Sequence, residues 1–114
     1  MKVRWSEPAL AHLDAIHDYI AQQASPYVAE RFLKRLVATV DPLEPFPQLG
    51  RRVPEAEGHY RELVCRQYRL VYRAGADDIL VVAVIHGRRE FALALTEALD
   101  DLDNVQDHDQ LEPG

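Results

Sequence analysis

The chain has 114 residues, 47% hydrophobic and 28% charged, the balance of one ordinary globular domain rather than of a disordered or fibrous chain. At this length one core buries roughly two-thirds of the unfolded surface, so folding needs no metal or disulfide staple. The net charge of −6 argues on average against a nucleic-acid partner, but it is unevenly spread: all 13 basic residues lie between Lys2 and Arg89, and residues 92–114 carry seven acids and no base.

Met1–Trp5 predicts a short strand, with Val3 and Trp5 alternating against Lys2 and Arg4. Ser6 reads as a helix N-cap, followed by Glu7 and Pro8, both favoured in a first turn. Ala9, Leu13, Ile16 and Ile20, with Leu10 beside them, recur at helical spacing and predict a first helix to about Gln23. Ser25-Pro26 repeats the start signal, and Val28, Ala29, Phe32, Leu36, Val37 and Val40 form a second apolar stripe. Pro42, Pro45 and Pro47 forbid its simple continuation. Two amphipathic helices joined by a short link predict an antiparallel hairpin.

Pro45–Gly58 reads as a loop carrying the pair Arg51-Arg52. Beyond it the period changes to two, and His59–Arg66 and Gln67–Arg73 predict strands joined through Ala74–Asp77 to a third. Ile79–Ile85 is continuously apolar, as in a central strand buried on both faces. Phe91, Leu95 and Leu99 give a weak last helix over Glu90–Leu102. The fold class is therefore α+β over residues 1–102: an N-terminal β-strand, an antiparallel helical hairpin on one face of a small, mostly antiparallel sheet, and a short C-terminal helix. Residues 103–114 are expected to be a disordered acidic tail.

A single cysteine, Cys65, sits in strand context and reads as structural; with no partner for an internal disulfide, a reducing cytoplasm is expected. The first ten residues lack the apolar stretch of a signal peptide. The longest uncharged run, Ile79–Gly87, falls far short of the ~18 residues a membrane helix needs, so no membrane partner is expected.

Alternation puts Tyr68, Leu70 and Tyr72 on one face of their strand and Arg69, Val71 and Arg73 on the other. A face with two arginines is not the one expected beneath the hairpin. If the strands pair in sequence, Arg61, Arg69, Arg88 and Arg89 converge on one exposed region. Arginine is suited to planar capture of phosphate or carboxylate, and the same residues equally suit a solvated face paired to Glu62 and Glu90. His86 ends the apolar strand beside two arginines and is either a neutral acceptor or base or, more commonly in such a place, a histidine bonded to backbone. His12 and His17 are five apart and do not share a face as a metal pair would, so no metal site is expected. No phosphate-cradling, metallopeptidase or nucleophile-elbow motif is present, and no cofactor or small-molecule substrate is expected.

The ordered pattern Trp5-Ser6…Ala9…Leu13-Asp14…Ile16…Tyr19-Ile20, Pro47-Gln48-Leu49-Gly50-Arg51, Arg61-Glu62-Leu63-Val64, Tyr68-Arg69-Leu70-Val71-Tyr72 and His86-Gly87-Arg88-Arg89 resembles the RelE/ParE toxin superfamily of bacterial toxin–antitoxin systems, also labelled plasmid stabilisation proteins, over about residues 1–95. The resemblance implies the same fold and a ParD-like antitoxin lying across the toxin surface. RelE-like members are ribosome-dependent mRNA endonucleases that use basic side chains on the sheet and a C-terminal tyrosine, because attack of a 2′-OH on phosphate needs charge neutralisation and proton transfer at both ends. By that resemblance Arg61, Arg69 and Arg89 match basic positions, whereas Leu63 and Leu95 fall where a second base and the tyrosine belong; His86 is the remaining acid/base candidate. ParE-like members inhibit DNA gyrase and need no catalytic residues. The paired N-terminal helices, the Trp-Ser start and the His-Gly-Arg-Arg end are more similar to this branch, which implies gyrase as partner and Arg88, Arg89 and Phe91 as target-facing residues, with the ribosome and its mRNA as the alternative target.

Overall fold

The computed structural model describes residues 1–88 and 90–111, the stretch 103–111 as backbone. Its elements are β1 (Lys2–Trp5), α1 (Glu7–Gln23), α2 (Pro26–Ala38), a single 3₁₀ turn (Asp41–Leu43), β2 (Arg51–Arg52), β3 (Tyr60–Cys65), β4 (Tyr68–Ala74), β5 (Asp78–His86) and α3 (Phe91–Leu111). Both helix starts are set by the expected caps. Ser6 Oγ accepts from the Ala9 amide at 3.1 Å and Ser25 Oγ from the Val28 amide at 3.2 Å, each satisfying one of the orphan N–H groups of a first turn. The prolines after α2 act as expected, except that Pro42 is accommodated inside the one-turn 3₁₀ helix.

The five strands lie in the order β1-β5-β4-β3-β2, with β1 parallel to β5 and every other pair antiparallel. The hairpin covers one face through Ala9, Leu13, Ile16, Leu36 and Val40, which pack on Leu70, Tyr72, Ile79, Val81 and Val84. α3 covers the opposite face: Phe91, Leu95, Ala98 and Leu102 pack on Val53, Val71, Val82, Ala83 and Ile85. β5 is thus buried on both sides, as its apolar run requires. A bulge splits its alternation. Val71 pairs with Ala83 and Tyr72 with Val81, so Val82 has no direct partner on β4 and both Val82 and Ala83 belong to the α3 side.

β2 falls inside the segment expected to be a loop. Two residues carry no period for a sequence reading to find, and the strand is held by a close approach instead. Gly50 lies so near β3 and β4 that a Cβ there would sit 2.5 Å from the Glu62 carbonyl oxygen and 2.8 Å from the Tyr72 hydroxyl. That hydroxyl, on a ring only 1% exposed, donates to the Pro47 carbonyl at 2.8 Å and accepts from the Gly50 amide at 2.9 Å. Burial raises the Tyr72 pKa, keeping the phenol protonated and able to donate. Cys65 is buried in the hairpin-side core. Among the described residues no helix is long and apolar enough to cross a membrane.

Candidate functional site

The charged centre of the molecule lies on the α3 face of the sheet, and its hub is Glu62. This side chain points from β3 into the interior with none of its surface exposed. A buried carboxylate is tolerable only if its charge and lone pairs are met. Arg51, its register partner on β2, donates from Nε to Glu62 Oε2 at 2.6 Å. Arg69, from β4, donates from Nε to Oε1 at 2.8 Å.

Arg69 then turns its remaining edge to the loop after β2. Nη1 donates to Glu55 Oε2 at 2.9 Å and Nη2 to Glu55 Oε1 at 2.8 Å, a bidentate fork, while Nη2 also lies 2.7 Å from Glu62 Oε1. The guanidinium carbon stands 3.4 Å from the centroid of the Phe91 ring, the first residue of α3. The hydrogen bond from Arg69 pulls the Glu55 pKa down, and the bond to Glu55 raises that of Arg69. Arg69 is therefore 11% exposed, neutralised by two carboxylates and stacked on an aromatic ring.

The expected convergence of arginines on one exposed region does not occur. Arg61 is paired with Tyr72 across the ladder and faces the hairpin side of the sheet, where its Nη1 donates to the Gly50 carbonyl at 2.8 Å. Arg69 is on the opposite face. The sequence reading assigned Arg69 the correct face of its own strand; it did not carry the alternation across to β3, where Leu63 and Cys65 belong to the hairpin side together with Arg61. Arg88 is exposed in the turn after β5, and Arg89 lies outside the described residues. Phe91 is 5% exposed, so it anchors α3 rather than presenting a surface.

His86 has both ring nitrogens occupied. Nδ1 accepts from the Arg88 backbone N–H at 3.1 Å, which leaves the proton on Nε2, 3.1 Å from Gln67 Oε1. Its ring packs edge-on against Tyr68, with centroids 5.4 Å apart. This is the backbone-bonded arrangement. Sequence reasoning named Glu62 as a partner for the sheet arginines, on a solvated face together with Glu90, and passed over Glu55; the structure keeps the Glu62 pairing but buries it. The available signal was Glu62 at an inward-alternating strand position between two arginine-bearing strands, where a buried acid demands cationic partners.

Comparison with known proteins fits this geometry. A profile described as "ParE toxin of type II toxin-antitoxin system, parDE" matches residues 3–91. The chain belongs to the ParE toxin family. Toxin ParE1 of Mycobacterium tuberculosis is 34% identical over 86 residues, covering 75% of this chain and 88% of that toxin. Toxin RelE2 of Caulobacter vibrioides is 37% identical over 89 residues, covering 77% of this chain and 97% of that toxin. A solved structure titled "Chromosomal ParDE TA system from P. aeruginosa" shares the fold with a TM-score of 0.68 at 24% identity, over 75% of this chain and 95% of that one. The protein is thus a toxin of a ParDE/RelE-type toxin–antitoxin system. In this family member, Leu63 packs against the hairpin-side core, and Leu95, 2% exposed, is part of the α3-side core.

Proposed function

We propose that this ParE-family toxin acts without catalysis, by binding and inhibiting DNA gyrase in the cytoplasm, and that a cognate ParD-like antitoxin neutralises it. One observation carries the reading: the state of Arg69. A guanidinium has five N–H donors; three of those on Arg69 are hydrogen-bonded to Glu55 and Glu62, and its Nη2 lies a further 2.7 Å from Glu62 Oε1. Stabilising a phosphorane would require withdrawing the side chain from a buried carboxylate and from a bidentate pair, and the carboxylates left behind would repel the incoming phosphate. Two further features agree. Apolar side chains hold the positions of a second base and of the tyrosine, and both ring nitrogens of His86 already have hydrogen-bond partners. Arg88, Arg89 and the start of α3 are the proposed gyrase-facing elements, with Phe91 as their buried anchor. The test is inhibition of plasmid supercoiling by purified gyrase. Inhibition near stoichiometric toxin is expected; full supercoiling at a large excess of toxin rejects the reading.

The similarity to Toxin RelE2 keeps ribosome-dependent mRNA cleavage as the second reading, with Arg61, Arg69, Arg89 and His86 in catalytic roles. That reading predicts codon-positioned cuts in mRNA on expression, abolished by Arg69→Ala. Intact mRNA in growth-arrested cells excludes it.

A further inference from the structure

β2 carries two arginines with opposite fates. Arg51 is matched across the ladder by Glu62, whereas Arg52 stands directly opposite Arg61. Directly opposed residues of an antiparallel pair hold their Cβ atoms about 4.5–5.5 Å apart, and like charges there destabilise the sheet. Among the described residues neither guanidinium has a carboxylate within ion-pair distance; the bond from Arg61 Nη1 ends on a neutral carbonyl, that of Gly50. Arg69 and Arg51, on the α3 face, are satisfied from within the chain. Arg52 and Arg61 are not, and they line a recess shared with Gln48, Gly58 and His59. The chain flanking Gln48 presents two large apolar side chains to solvent, Phe46 at 63% and Leu49 at 55% exposure.

We infer that Arg52 and Arg61 form a receptor for one carboxylate side chain of the antitoxin, on a segment whose adjoining apolar side chain covers Phe46 or Leu49. The inference rests on the antitoxin reading given above. Two guanidinium forks on neighbouring strands suit a single planar carboxylate. A polynucleotide is the poorer match. Two isolated cations neutralise little of a phosphate backbone, the chain as a whole is at −6, and the apolar neighbours fit a peptide rather than a sugar–phosphate chain.

The experiment uses the full-length toxin and the protein encoded by the adjacent reading frame. Arg52 is exposed and its side chain makes no hydrogen bond or ion pair among the described residues, so Arg52→Gln leaves the fold intact; Lys34→Gln, on the exposed side of α2, removes the same charge elsewhere. Affinity is measured at about 0.05 M and about 0.5 M salt. Arg52→Gln is expected to weaken binding about tenfold at low salt and to lessen its salt dependence, with Lys34→Gln changing it less than about twofold. Arg52→Glu is expected to weaken binding further and to be rescued by one particular Asp or Glu to Lys change in the antitoxin. Unchanged affinity for Arg52→Gln overturns the inference and leaves the antitoxin reading standing. Loss of affinity for a DNA or RNA oligonucleotide in place of the antitoxin also overturns it. Absence of binding by the wild-type toxin overturns both.

Discussion

Gly50, just before β2, and Glu62, on β3, resist change for different reasons. At Gly50 the constraint is space. A Cβ would meet the Glu62 carbonyl oxygen, which cannot move without breaking the β3 ladder, and the Tyr72 hydroxyl, which holds the loop by two hydrogen bonds. Gly50→Ala is therefore expected to cost about 1–3 kcal/mol, as overpacking does in a tight site, and to appear in chemical denaturation as a lower midpoint at unchanged slope. At Glu62 the constraint is charge. Glu62→Gln keeps the shape but leaves two arginines facing a neutral amide that offers them a single acceptor oxygen. Breaking a buried pair from one side costs about 3–5 kcal/mol, and the exposure of Arg51 to solvent places this case at the lower end. The same denaturation experiment measures it. A loss below about 1 kcal/mol would mean that the two arginines find water instead, and that the network is a surface feature.

At the scale of elements, α1 does more than cover the sheet. β1 ends at Trp5, paired with Val81, so from there on β5 has no strand on its β1 side, while β4 continues along the other. α1 closes part of that open edge. The Ser6 amide donates to the Val81 carbonyl at 3.0 Å, Ser6 Oγ to the Val82 carbonyl at 3.3 Å, and the Val84 amide donates to His12 Nδ1 at 3.0 Å. Burial lowers the His12 pKa, with the charge of Asp101 on α3 opposing it. The folded state therefore prefers the neutral ring. The stabilisation is complete above the ordinary histidine pKa, near 6.5, and is lost as the pH falls below it, because the unfolded chain takes up the proton more readily. Melting temperature is expected to fall between about pH 7.5 and pH 5.5 in the wild type. His12→Asn, whose side-chain oxygen can accept the same amide proton without titrating, should flatten that dependence. An equal slope in both proteins would assign it to other groups.

The same elements mark how far the sequence could be read. α1, α2 and β5 were legible because caps, 3.6-residue stripes and an apolar run are local signals. β2 was not, because two arginines in a loop acquire strand geometry only from the close approach at Gly50 and from Tyr72 and Glu62, both distant in sequence. The doubling of Val82 and Ala83 on one face is likewise a property of the β4–β5 register. The role of His12 was invisible for the same reason: it serves a backbone group 72 residues away. The arginines were recognised as the notable residues, but their partition between two faces depends on the register of three strands.

At the scale of the whole molecule the question is what the −6 does. The charge is not on the arginine-bearing sheet, which is neutralised internally on its α3 face and cationic at Arg52 and Arg61; it is concentrated after residue 92. The last buried side chain described on α3 is Leu102, so residues 103–114 can be removed without taking a described residue from the core. Their removal deletes Asp103, Asp107, Asp109 and Glu112 and brings the net charge to −2. We propose that this acidic segment slows association by repelling an acidic partner and by competing for the sheet arginines. Both effects act over roughly a Debye length, about 10 Å at 0.1 M salt, and are screened at higher ionic strength. The truncated chain should then bind antitoxin with a faster association rate than the full chain at about 0.05 M salt, and at an equal rate at about 0.5 M. Dissociation should change little, because no contact in the final complex is assigned to the segment. A rate gain that persists at high salt would point to steric shielding rather than charge; no gain at either salt would leave the acidic segment without a role in recognition.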